Sequence, residues 1–192
     1  MGALFLGLAN GLCAWALKSV ESGYATLLIA GVPLVVLSYG ALIQGKRIRL
    51  HEALLLSLGL LGVGLLLSPK TASLHAQGAA GLIALVAATI IWGMTMAERP
   101  RFGAPSEPLL GTAFQMLGGG TFLVVVSSLF EHPWTLDLAT VPAQSWAAWG
   151  YLVVFGSLVG FGAFSWLLRQ DPPHLVGTYS YVNPLVAVLA GH

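Results

Sequence analysis

Residues 22–45 read SGYATLLIAGVPLVVLSYGALIQG, a stretch without one charged side chain. A helix crossing the hydrocarbon core of a bilayer needs about 20 apolar residues, and this stretch supplies them. No strict alternation of polar and apolar positions runs through it, which removes a membrane β-strand. Comparable uncharged runs occupy residues 1–17, 53–69, 71–97, 108–130, 138–168 and 172–192, with all fifteen charged residues between them. The seven runs predict seven spanning helices, a to g, and an all-α integral membrane fold, a multi-pass helical bundle.

Bulk composition leads to the same class. Of 192 residues, 57% are hydrophobic and 8% are charged, and the mean hydropathy is +0.85. A soluble domain carries about 25% charged residues, so an ordinary cytosolic enzyme, a disordered chain and a disulfide-stapled secreted domain are excluded. The single cysteine, Cys13, permits no internal disulfide and no cysteine metal cluster. A net charge of +1 leaves no footprint for nucleic acid.

Lysine and arginine in the short loops set orientation. The b–c loop holds Lys46, Arg47 and Arg49, the d–e loop Arg99 and Arg101, and the f–g loop Arg169. The opposite side has only Lys18 and Lys70. The richer side is expected to face the cytoplasm, with the N-terminal end there and helix a running outward. Trp134, Trp146, Trp149 and Tyr151 collect near the outer end of helix f, as an interfacial aromatic belt would. The first run lacks the basic region and cleavage site of a signal peptide, and the last run reaches the final residue. The chain is therefore expected to begin and end inside a longer bundle.

Sliding the sequence on itself by 151 positions aligns helices a and b with f and g. Gly11, Trp15, Leu17, Pro33, Leu34, Val35 and Gly40 fall on Gly162, Trp166, Leu168, Pro184, Leu185, Val186 and Gly191, and Lys18 falls on Arg169. A shift of five spans reverses membrane direction, so the expected architecture is an inverted repeat of five helices. Residues 1–69 would hold the last three helices of the first repeat and residues 70–192 the first four of the second, seven of ten in all.

These segments resemble EamA-type transporters of the drug/metabolite transporter superfamily. Residues 9–45 (ANGLCAWALKSVESGYATLLIAGVPLVVLSYGALIQG) are similar to the third and fourth helices of that family. Residues 90–93 (IIWG) resemble the end of its sixth, and residues 177–191 (GTYSYVNPLVAVLAG) its ninth. The resemblance implies ten helices in two inverted repeats and an inner-membrane permease, commonly an exporter of amino acids, metabolites or drugs. The first, second and tenth helices have no counterpart here.

Transporters built from repeats bind substrate near the midplane, where helices are interrupted. Pro33 and Pro184 each remove a backbone hydrogen bond and are expected to kink helices b and g at matching depths. Thr178, Tyr179, Ser180, Tyr181 and Asn183 form the most polar stretch within any span. Tyr179 and Asn183, four apart, share a helix face and could offer a hydroxyl and an amide to a solute. Bonding between helices is the competing role for both and for Tyr181. Trp92 could floor a pocket by stacking or anchor at the interface, and Asn10 and Gln115 are expected mainly to bond neighbouring helices. The pairs Gly7 with Gly11 and Gly156 with Gly160 read as close-packing motifs.

No Asp, Glu, Lys or Arg sits mid-span, which disfavours phosphorylated solutes and would leave any proton coupling to the helices without a counterpart here or to loop-edge groups such as Glu98. Gly160 and Gly162 lie in an apolar span and are not a phosphate loop. His51, His75, His132 and His174 are too scattered for a metal site, and no nucleophile-base pair or acidic dyad falls within a span. The expectation is a transporter of small organic solutes working by alternating access, with no enzyme activity, metal or cofactor. Its partners would be membrane lipid, the solute, and a second copy or a complementing chain. The alternative is a non-transporting membrane subunit or an inactive remnant.

Overall fold

The structure, a computed structural model, describes residues 2–45, 47–67, 78–98, 108–131, 134 and 137–190. The loop residues Lys46, Lys70, His75, Arg99, Arg101 and His132, which entered the charge and histidine expectations, lie outside them. The described chain is helical: α1 (Gly2–Ala16), α2 (Ser22–Ile29), α3 (Val32–Leu42), α4 (Leu50–Leu67), α5 (Ala79–Glu98) and α6 (Pro108–Phe130). After a short 3-10 turn (Leu138–Thr140) follow α7 (Ala143–Tyr151), a π-helical stretch (Leu152–Phe161), α8 (Gly162–Gln170), α9 (Pro173–Val176) and α10 (Tyr179–Ala190).

Four stretches are long and apolar enough to cross a bilayer: Ser22–Leu42, Ala79–Glu98, Leu110–Phe130 and Ala143–Gln170. They correspond to helices b, d, e and f. Shorter apolar helices at Leu6–Ala16 and Leu50–Gly62 correspond to a and c. Helix g is divided between α9 and α10. The protein is thus a multi-pass helical membrane protein.

Helix α5 is the most buried of the long spans and forms the centre of the bundle. Its N-terminal half packs Ala84 and Leu85 against Ala16, Val20, Tyr24 and Ala25. Its C-terminal half packs Met96 and Ala97 against Val32, Val36 and Val176. Glycine permits both approaches. A Cβ at Gly93 would stand 2.6 Å from Val35 Cγ1, and one at Gly81 would collide with Ser19 and Val20. Gly7 and Gly11 likewise admit Phe122 and Leu123 of α6, so this expected packing motif is formed. Gly156 and Gly160 meet no neighbouring described helix, because the π-helical stretch carries them on an exposed surface.

Large apolar side chains cover the outside: Leu54, Leu55, Leu58, Leu61 and Leu65 of α4 are all more than 60% exposed. Water would not tolerate such a surface, whereas acyl chains match it. Hydroxyls within the spans turn inward to their own helix, as with Thr26 to Ser22 O, Thr95 to Ile91 O and Ser128 to Val124 O. That closes the donors without a partner helix. Trp134, Trp146, Trp149 and Tyr151 are exposed, in keeping with a belt.

Helix b is interrupted at Ala30 and Gly31. There the backbone tightens: Gly31 N–H donates to Leu28 O at 3.0 Å and Leu34 N–H to Gly31 O at 3.1 Å. Pro33 has no N–H for the carbonyl one turn earlier, and it begins the new helix within the first turn of α3. In helix g the interruption lies elsewhere than at the proline. Helix α10 continues through Pro184 to Ala190, and the interruption falls at Gly177 and Thr178. The 151-residue offset maps Gly31 onto Val182, so the two interruptions do not lie at matching depths. Two adjacent prolines, Pro172 and Pro173, restart the chain early and leave a four-residue α9, which moves the interruption upstream of Pro184.

Candidate functional site

The two interrupted helices meet. A Cβ on Gly177 would lie 3.4 Å from Pro33 Cγ, so the end of α9 rests on the first turn of α3. Pro33 itself is fully buried. Around this contact the polar groups are bridged: Thr89 of α5 donates its hydroxyl to Leu85 O at 2.8 Å and faces Leu28 O at 3.4 Å. Ser180 donates to Gly177 O at 2.9 Å and Thr178 to Leu175 O at 2.6 Å.

Beside the contact stands an aromatic cluster drawn from separate elements. Trp92 of α5 stacks on Phe164 of α8 with ring centroids 5.9 Å apart and planes at 25°. It also tilts against Phe161 at 6.4 Å, and Phe164 meets the edge of Tyr179 at 5.5 Å. Phe161 and Phe164, three apart across the junction of the π-helical stretch with α8, present one face to Trp92. Among the described residues, two buried side-chain atoms have no hydrogen-bond partner, Trp92 Nε1 and Ser165 Oγ. The Tyr179 hydroxyl approaches the indole N–H closely enough to interact with it, without the geometry of a formed bond. A buried unpaired donor costs about 1–3 kcal/mol, so each one calls for a physical explanation.

The sequence candidates separate on this frame. Trp92 is half-buried with its indole nitrogen out of contact with solvent. Tyr179 is 37% exposed. Asn183, one turn further along α10, is open as well. The Pro184 side chain lies outside the described residues. Tyr181 donates its hydroxyl to Leu56 O of α4 at 2.9 Å and packs with Ala30, Leu27 and Leu60. Asn10 does not make the expected bond to a neighbouring helix through its Nδ2, which donates to Leu6 O of its own helix at 2.8 Å. Its position is exposed on α1, and the carbonyl one turn back is the acceptor within reach. Gln115 is half-buried on α6. Among the described residues, neither α1 nor α6 contributes a ring to the cluster.

Sequence reasoning passed over Phe161, Phe164, Ser165 and Thr89. The spacing of the two phenylalanines next to Gly160 and Gly162 was the available signal. The unpaired state of Ser165 had none.

A bundle of apolar spans, with two interrupted helices in contact beside a partly open aromatic cluster, defines a multi-pass helical membrane protein. Residues 79–192 match the EamA-like transporter family, and the chain belongs to it. It is 33% identical over its whole length to the uncharacterised inner membrane transporter YedA of Escherichia coli K12, covering 60% of that protein. It is 27% identical to the protein PecM of Dickeya dadantii, again over its whole length and 63% of the relative. A WAT1-related chloroplastic protein of Arabidopsis thaliana is 24% identical over 95% of this chain and 45% of its own. A solved crystal structure aligns with 99% of this chain and 66% of its own, with a TM-score of 0.75 at 22% identity, which shows a common fold. The chain thus spans about 60% of the length of the YedA relative.

Proposed function

We propose that this chain belongs to an inner-membrane permease that moves a small organic solute by alternating access. The solute would bind where Pro33 and Gly177 meet, among Trp92, Tyr179 and Asn183. The observation that carries this reading is the Trp92 indole, stacked on Phe164 and holding a buried N–H without a bonded acceptor. A solute carbonyl or carboxylate is suited to fill that vacancy. The aromatic faces favour an apolar or planar body, and spans without mid-membrane charge favour a neutral or zwitterionic solute over a phosphate. Five-helix inverted repeats divided near residue 70 would supply the rocking halves, with the arginine-rich loops in the cytoplasm. Lipid is the surrounding partner, with a second copy or a complementing chain as a further one.

The test is substitution. Tyr179→Ala and Asn183→Ala should each lower the uptake of a labelled zwitterionic amino-acid panel by proteoliposomes, with membrane yield unchanged. Unchanged uptake, or loss of the protein itself from the membrane, removes the site assignment. Wild-type uptake equal to that of empty vesicles favours a non-transporting subunit.

A further inference from the structure

One end of the bundle carries polar contacts that the aromatic site does not use. Glu98, the last residue of α5, accepts from Tyr39 Oη of α3 at 2.8 Å. Gln44, just past α3, donates to Ala97 O at 3.1 Å and reaches Glu98 at 3.4 Å. Glu52, in the first turn of α4, lies 3.9 Å from His174 Nε2 of α9, with side chains only 22% and 18% exposed. A cavity of about 80 Å³ lies between the two sets, and Val36, Gln44, Arg47, Glu52 and His174 are in its wall.

Every one of these contacts crosses between helices. Each joins the α3 and α4 region to α5 or α9, so none serves to hold a single helix together. The position of His174 adds to this. It lies three residues before Gly177, which rests on Pro33. Any displacement of the short α9 must therefore shift the contact at the centre of the bundle.

We propose that the Glu52 and His174 contact, with Tyr39 and Gln44 on Glu98, is a clasp that closes this mouth of the transport route. This proposal rests on the transport reading above. When the clasp parts, α9 swings from α4, and water enters the cavity walled by Val36. Half-burial spares the pair much of the screening that weakens exposed ion pairs.

The test reads opening rather than flux. In a Cys13→Ser background, Val36→Cys reports water entry through its rate of labelling by a membrane-impermeant maleimide in detergent micelles. The parent should label slowly. Glu52→Gln and His174→Ala should each accelerate labelling about fivefold, the low end of coupling between sites. The exchanged pair, Glu52→His with His174→Glu, should restore the slow rate. Tyr39→Phe leaves that pair intact and should also accelerate labelling, so it decides the matter if a first variant does not fold. Parent-like rates in Tyr39→Phe and in the folded variants overturn the clasp, as does an exchanged pair that stays fast. Solute uptake plays no part in this readout. Its failure removes the clasp alone, whereas loss of the Tyr179 and Asn183 effects on uptake removes the transport reading.

Discussion

The ring of Tyr181 lies across Gly59, so closely that a Cβ on the glycine would stand 2.7 Å from Tyr181 Cε2. The phenol then reaches Leu56 O at 2.9 Å, which ties α10 to α4. Tyr181 therefore acts as a pin, and its near neighbour Tyr179 as the open residue. Replacing Tyr181 by Phe removes one interhelical hydrogen bond, worth about 0.6 kcal/mol on average within a membrane. A small fall in thermal stability in detergent is expected, with solute uptake unchanged. Tyr179→Ala should do the opposite, lowering uptake with little effect on stability.

Glycine substitutions should divide by what surrounds each site. Gly93→Ala drives a methyl into Val35 at 2.6 Å, and overpacking of this kind costs about 1–3 kcal/mol. Gly120 of α6 has nothing within 4 Å of a built Cβ, so Gly120→Ala should gain a few tenths to about 1 kcal/mol from helix propensity. Melting curves of the two variants in the same detergent check the contrast.

The spans were legible because uncharged runs of bilayer length admit few other structures. The interruptions were only half legible. Pro33 announced the one in helix b, since a missing N–H forces a new start near it. Pro184 did not mark the other, because α10 continues through it while the interruption falls earlier, at Gly177 and Thr178 after Pro172 and Pro173. The tertiary neighbourhood of Trp92 was not legible at all. Whether its N–H meets a headgroup or a packed interior depends on Phe161 and Phe164, brought in from helix f by contacts far apart in sequence. Nor did the sequence announce that the Asn10 amide donates to Leu6 O of its own helix.

Away from the membrane core, Lys18 after α1 and Glu131 after α6 form an ion pair at 2.6 Å. The hydrogen bond from Lys18 lowers the Glu131 carboxyl below its ordinary value, helped by Ser127 and the lysine charge. A lowered carboxylate contributes stability above its unfolded pKa and loses it as pH falls through the folded value. The stability difference between the parent and Lys18→Met should therefore shrink on acidification through and below the usual carboxylate range. It should also shrink at high salt, because both side chains are exposed. Thermal melts from pH 7 downward, with and without salt, check this.

Gly45 has a φ of +66°, in the region that favours glycine. It turns the chain out of α3 toward α4 directly after Gln44. Gly45→Ala is expected to cost about 1 kcal/mol from left-handed strain. By moving Gln44 off Ala97, it should also speed maleimide labelling at Val36→Cys.

The central claim is that solute is bound against Trp92 where the two interrupted helices meet. Its most direct test compares proteoliposome uptake of a labelled zwitterionic amino-acid panel for the parent, Trp92→Phe and Trp92→Ala. The phenylalanine variant keeps an aromatic face and loses only the N–H. The account predicts uptake above empty vesicles for the parent, a fall of roughly tenfold for Trp92→Phe, the effect of about 1.4 kcal/mol, and a larger fall for Trp92→Ala, all at unchanged membrane yield. Uptake by both variants equal to that of the parent would contradict it.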